Sequence, residues 1–247
     1  MARPFELRKE IVLEATPEQV WEAIATGPGL DGWFMGRNQV EPREGGRTAM
    51  TIAGHTEQAT VTGWEPPRRL AFRAETPGGF MAFEWLVEGR DDGTSVLRLV
   101  QSGVLGDDWE DEYDALDQGW DMYLHKLGQY LRFFRGRPAT PVTLGGPGPD
   151  EPERLWPELR RALGLASPPA EGDRVRLTPD GLAAIEGVVD YVAPAVLGVR
   201  GQDGLYRFIG GFDGSVAVGH HLFARGLDPE EVEPAWQAWL GGLFEQR

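Results

Sequence analysis

DWEDEYDALDQGWDMYLHKLGQYLRFF, residues 108–134, reads as one long amphipathic helix. Leu116, Trp120, Leu124, Leu127 and Leu131 recur at steps of four and three, the period that gathers side chains on one helix face. Asp114, Asp117, Asp121, Lys126 and Arg132 fall off that stripe, which predicts a wet face opposite a dry one. Acids crowd the start (Asp107, Asp108, Glu110, Asp111, Glu112), and Lys126, Arg132 and Arg135 sit toward the end. That order suits the helix dipole. A one-sided helix of this length needs a broad apolar partner.

The strands that could supply it come first. Phe5, Leu7, Ile11 and Leu13 alternate with Glu6, Arg8, Glu10 and Glu14, a period of two. Lys9 breaks the parity, which fits an edge strand or a side chain reaching out to water. Thr16-Pro17-Glu18 opens a helix with Val20, Trp21, Ile24 and Ala25 on its buried face, and Gly27-Pro28-Gly29 stops it. Leu30, Trp33, Phe34 and Met35 form an apolar knot. Five strands follow, at 47–52, 57–65, 69–75, 80–88 and 95–102. Gly45-Gly46, Pro66-Pro67, Pro77-Gly78-Gly79 and Asp91-Asp92-Gly93 divide them. Leu70 and Phe72 share a face, as do Met81, Phe83, Trp85 and Val87, and Leu97, Leu99 and Gln101. The fold class is α+β, a curved antiparallel sheet wrapped round one long helix.

Composition narrows the function. Among 247 residues the net charge is -15, which disfavours nucleic acid as a partner because phosphate binding needs clustered Lys and Arg. With no cysteine there is no disulfide, thiolate metal site or Cys nucleophile. No apolar run approaches a membrane span, and MARPFELRKE has no signal-peptide pattern. The expectation is a cytoplasmic protein with no membrane partner.

Four ordered motifs carry a resemblance: TPEQVWEAIATGPGLDGWF (16–34), VTGWEPPRRLAF (61–72), DGTSVLRLVQSG (92–103) and GWDMYLHKLGQYL (119–131). Over about residues 1–135 the chain resembles the homologues of the activator of the heat-shock chaperone ATPase. These belong to the START-like, helix-grip superfamily (also called SRPBCC). The resemblance implies a seven-strand antiparallel sheet gripping the C-terminal helix, with an apolar cavity between them. The superfamily holds carriers, cyclases and chaperone activators, so it implies little about chemistry.

From Arg137 the texture changes. The domains are read as 1–137, a Pro/Gly-rich linker at 138–151, and a smaller α+β domain at 152–247. A shift of 127 aligns Gly45–Arg73 with Gly172–Arg200 without a gap. Gly45/Gly172, Arg47/Arg174, Thr51/Thr178, Gly54/Gly181, Val61/Val188, Pro67/Pro194, Leu70/Leu197 and Arg73/Arg200 are identical, and Trp64 meets Tyr191. Glu18 and Trp21 match Glu153 and Trp156. Trp120, Tyr123, Leu124 and Leu127 match Trp236, Trp239, Leu240 and Leu243. The second unit shows no clear counterpart of residues 30–43. It reads as a reduced helix-grip repeat, against the plainer alternative of an unrelated small domain.

No residue pair announces catalysis. His220 and His221 are adjacent on a strand and point to opposite faces, so they cannot pinch one metal. His220 shares a face with Val216, Val218 and Leu222. It is a candidate ligand anchor in the second domain, beside the plainer reading of a hydrogen-bonded core histidine. His125 reads as a surface partner of Asp121, and His55 as a turn residue. No metal site and no cofactor are expected. Neither a calcium loop nor a nucleophile elbow is present.

Nine tryptophans remain to be explained. Such aromatics pack cores, and they also line apolar pockets. The candidate lining is Trp33, Phe34, Phe72, Met81, Phe83, Trp85, Leu97, Leu99, Gln101, Tyr113, Leu116, Trp120 and Tyr123, with Gln101, Tyr113 or Glu84 as polar contacts. The leading reading is a binder of a small, mostly apolar molecule. The alternatives are a cyclase- or hydratase-like enzyme with Tyr113 as acid, and a co-chaperone. A homodimer and a chaperone are the macromolecular partners considered.

Overall fold

In the computed structural model, which describes residues 3–76, 78–106, 108–210 and 214–244, the chain divides into two compact units. One runs to Pro138 and the other starts at Ala139. In the first, the alternating stretch forms β1 (Arg3–Leu13). α1 (Pro17–Ala25) opens on a capping box. The Gln19 N–H donates to the Thr16 hydroxyl at 3.4 Å, and the Thr16 N–H donates to the Gln19 side chain at 3.0 Å. Gly27-Pro28-Gly29 ends α1 and also starts a four-residue helix, α2 (Gly27–Leu30), whose Gly29 N–H donates to the Thr26 hydroxyl at 3.0 Å.

β2 (Arg37–Val40), which periodicity did not reveal, leads into β3 (Arg47–Ile52), β4 (His55–Glu65), β5 (Arg69–Thr76), β6 (Gly79–Gly89) and β7 (Ser95–Leu105). They make a seven-stranded antiparallel sheet in the order β1-β7-β6-β5-β4-β3-β2. α3 (Trp109–Phe133) follows, with Glu110, Asp111 and Glu112 in its first turn and Arg132 in its last. Pro77 and Asp107, named above in a turn and in the acidic helix start, lie outside the described residues.

Three expectations for polar side chains need correction. Lys126, assigned to the wet face, is buried, with its ammonium 4.7 Å from the Tyr123 ring centroid. Its position three residues after Tyr123 lets the apolar stem run along that ring. Asp121 pairs with Lys9 at 2.6 Å, and Lys9 also reaches Asp117 at 2.9 Å. The parity break falls on an edge strand, as expected, but Lys9 reaches α3 rather than water. His125 is half-buried rather than at the surface.

The second unit begins with β8 (Thr140–Gly146), inside the stretch read as linker. Its Pro and Gly content is tolerated because β8 is an edge strand, paired only with β13. A single turn at Pro152–Arg154 holds Glu153, ahead of α4 (Leu155–Ala162). Then come β9 (Arg174–Leu177), β10 (Ile185–Ala193), β11 (Val196–Gly201), β12 (Gly204–Gly210), β13 (Val216–Leu222) and α5 (Pro229–Gly242). The sheet order β8-β13-β12-β11-β10-β9 is that of the first sheet without β2.

Register refines the internal alignment. In the first unit the Gly45 N–H donates to the Val61 carbonyl at 2.9 Å, and the Val61 N–H to the Gly46 carbonyl at 2.8 Å. In the second the Gly172 N–H donates to the Val189 carbonyl at 2.8 Å, and the Val189 N–H to the Asp173 carbonyl at 2.9 Å. The bulge between Val61 and Gly63 reappears between Val189 and Tyr191. β3 and β5 thus match β9 and β11 at a shift of 127, whereas β4 matches β10 at 128. Val61 corresponds to Val189, not Val188, and Tyr191 takes the place of Gly63, not Trp64. A turn that gains one residue before β10 and a turn that loses one after it hide this slip from an ungapped comparison.

Candidate functional site

The inner face of the first sheet and the dry stripe of α3 meet at Trp120. Alternation along β6 puts Met81, Phe83 and Trp85 on one face, and pairing with β7 sets Phe83 opposite Gln101 and Trp85 opposite Leu99. Trp120 has Phe83 at 6.2 Å and Trp85 at 5.4 Å between ring centroids. Phe34 stacks on it at 5.6 Å and 12°, and Phe34 also meets Tyr123 at 5.1 Å. Phe72 extends the layer by stacking on Phe83 at 4.9 Å.

One buried polar link runs through this layer. The Trp120 indole N–H donates to the Gln101 side-chain oxygen at 2.5 Å, and the Gln101 amide donates to the Met81 sulfur at 3.1 Å. Gln101 is 2% exposed and Trp120 6%. A buried amide left unpaired would be costly, so this link fixes the indole's orientation. Trp33 is fully buried and spends its polar atom elsewhere, donating its indole N–H to the Ala23 carbonyl at 3.0 Å. It ties the 30–35 knot to α1.

The sequence-derived candidates separate by accessibility. Trp33, Trp85, Leu97 and Leu99 are buried and form the floor. Phe34, Phe72, Met81, Phe83, Leu116 and Tyr123 keep accessible surface. Tyr113 stands apart: its ring contact is with Phe5 at 6.2 Å, and among the described residues it makes no hydrogen bond to Gln101. Glu84 points away from the layer into an ion pair with Arg69 at 2.6 Å. The Tyr123 hydroxyl makes no hydrogen bond among the described residues. Burial pushes its phenol up, so it stays protonated and able to donate. Gly119, one turn before Tyr123, has no atom within 4 Å of where a Cβ would stand.

The second unit builds a related centre. By strand register Tyr206 and Phe208 take the places of Phe83 and Trp85, and His220 that of Gln101. His220 lies 4.3 Å from Trp236 and 5.1 Å from Phe208. Its Nδ1 accepts the Arg207 backbone N–H at 3.1 Å. An accepting ring nitrogen requires the neutral imidazole.

An antiparallel sheet closed over a long C-terminal helix, with an aromatic layer between them, defines the helix-grip fold of the START-like superfamily. Residues 14–132 match the family described as Activator of Hsp90 ATPase homolog 1-like protein. The match lies within the first unit and spans 119 of the chain's 247 residues. Among solved structures, the chain is similar to protein MLL2253 from Mesorhizobium loti (22% identity, TM-score 0.47, covering 52% of this chain and 97% of that one). It is also similar to BH1534 from Bacillus halodurans (26% identity, TM-score 0.47, 53% and 99% covered). DynU16, from the dynemicin biosynthetic locus, aligns over 96% of both chains at 19% identity and a TM-score of 0.46. No curated protein matches. Among the described residues no helix is long and apolar enough to cross a membrane.

Proposed function

We propose that the first domain binds a small, mostly apolar molecule between its sheet and α3. The observation that carries this reading is partial exposure inside the layer. Phe34, Phe72, Phe83 and Tyr123 touch one another or Trp120, yet each keeps accessible surface. A core filled by its own side chains would bury them as it buries Trp85 and Leu99. In this reading the ligand lies on Phe83 and Phe34, and the Tyr123 hydroxyl donates to its one polar group. Most of such a ligand's affinity comes from apolar contact, and the hydroxyl sets its orientation.

The test is a fluorescence titration of the full chain with N-phenyl-1-naphthylamine and with 1-acetylnaphthalene as a competitor carrying an acceptor oxygen. Phe83→Trp fills the space and is expected to remove one binding site for the fluorophore. Tyr123→Phe is expected to leave fluorophore binding unchanged and to weaken the ketone about fivefold, the worth of one neutral hydrogen bond. An unchanged stoichiometry in Phe83→Trp would sink the reading.

A further inference from the structure

We infer that the second domain carries its own binding groove, built for a planar aromatic molecule that bears an acidic group. The inference is independent of the first-domain site. It starts from a difference between the two units. From Glu18 to Gly45 the first unit has eight residues more than the second has from Glu153 to Gly172. The segment between α1 and β2 in the first unit holds α2, Trp33 and Phe34. In the second, residues 163–173 connect α4 to β9 without a helix or an aromatic side chain, and the Leu163 carbonyl at their start accepts the Thr178 N–H, from just beyond β9, at 3.0 Å. A helix and two aromatic side chains have no counterpart there.

A groove of about 1020 Å³ stands in their place. It is bounded by the end of α4 (Arg161, Ala162), by Gly164, by the turn after β9 (Thr178, Asp180, Gly181) and by α5. Its apolar wall on α5 includes Ala235, Ala238 and Trp239. Trp239 corresponds to Tyr123, the ring on which Phe34 packs at 5.1 Å in the first unit. The first unit thereby displays the shape of the missing occupant: a flat aromatic group laid on that ring. The volume is at the upper end of what small-molecule sites offer.

The rim supplies the second half of the specificity. Arg154 is held by Glu158 through its Nε at 2.8 Å. Arg161, which lines the same groove, has no side-chain partner among the described residues. A guanidinium at the edge of an aromatic wall suits a carboxylate or sulfonate, which it can grip with two parallel hydrogen bonds. Recruiting an anion is notable in a chain whose net charge is -15: the general field and the Asp180 carboxylate in the same lining oppose it, Glu158 is taken up by Arg154, and Arg161 must supply the attraction.

Two probes read the groove in the full chain: 1-anilinonaphthalene-8-sulfonate, and N-phenyl-1-naphthylamine, which keeps the rings and lacks the acid. Binding is followed by fluorescence in the wild type, Arg161→Gln and Ala238→Trp, in the presence of Phe83→Trp to silence the first domain. Arg161→Gln is expected to weaken the sulfonate about tenfold and to leave the neutral probe within twofold, as loss of a charge-assisted hydrogen bond requires. Ala238→Trp, which fills the groove from an exposed helix position, is expected to weaken both. Equal sulfonate affinity in wild type and Arg161→Gln overturns the acidic class. Affinities for both probes that Ala238→Trp leaves unchanged overturn the groove.

Discussion

Gln101 is the residue on which the first-domain layer turns. It is buried, and its side-chain oxygen takes the indole N–H of Trp120. Gln101→Leu keeps the volume and removes the acceptor, leaving that N–H buried without a partner. The expected cost is about 1–3 kcal/mol, read from urea unfolding. Gln101→Glu keeps an acceptor and should recover part of the loss. Much at this scale was legible: strand parity put Gln101 with Leu97 and Leu99, and helical period put Trp120 on the dry stripe. What periodicity could not show was which polar atoms pair across the layer. Tyr113, named beside Gln101 as a polar contact of the pocket, lies on Phe5, and Trp120 takes the Gln101 amide. Periodicity also placed Lys126 in water, since a charge is counted as polar whatever its stem covers.

Elements carry two further expectations. Gly119 and Gly128 place two weak helix formers inside α3, and neither stands where space is tight. A Cβ at Gly119 meets nothing within 4 Å, and one at Gly128 meets Leu13 at an ordinary 3.8 Å. Gly119→Ala should therefore stabilise the protein by about 0.5–1 kcal/mol through helix propensity alone, measured as a higher urea midpoint. Lys9 joins β1 to α3 through Asp121 and Asp117. Burial alone would lower its pKa, but the hydrogen bonds to the two carboxylates outweigh it and the value is raised above 10.5. A raised folded-state pKa means that Lys9 contributes stability fully below the ordinary lysine value and loses it as pH rises through the folded value. The stability gap between wild type and Lys9→Met should accordingly close on going from pH 9 to pH 12. A gap that stays constant would show that the ion pairs contribute nothing. The elements hardest to read were β2 and β8. β2 is four residues long and mostly polar, and β8 carries the Pro and Gly that mark linkers elsewhere, which its place at a sheet edge tolerates.

Across the whole molecule, the two units show one strand order built twice, with the second copy lacking β2, α2 and the aromatic knot. The repeat was visible in the sequence because turn glycines at positive φ, Gly45 and Gly172, Gly54 and Gly181, are set by backbone geometry and survive as identities. The groove of the second unit was foreshadowed only as a missing stretch, since an absence has no residues to read. The central claim is that the first domain's aromatic layer holds a small apolar molecule. Its most direct test is native mass spectrometry of freshly purified protein, paired with a denaturing run of the same sample and with the same two runs on Phe83→Trp. The account predicts extra mass on the native wild type that vanishes on denaturation and is reduced in Phe83→Trp. Contradiction would be a wild type that stays at its bare chain mass even after incubation with N-phenyl-1-naphthylamine, or a bound mass that Phe83→Trp leaves untouched.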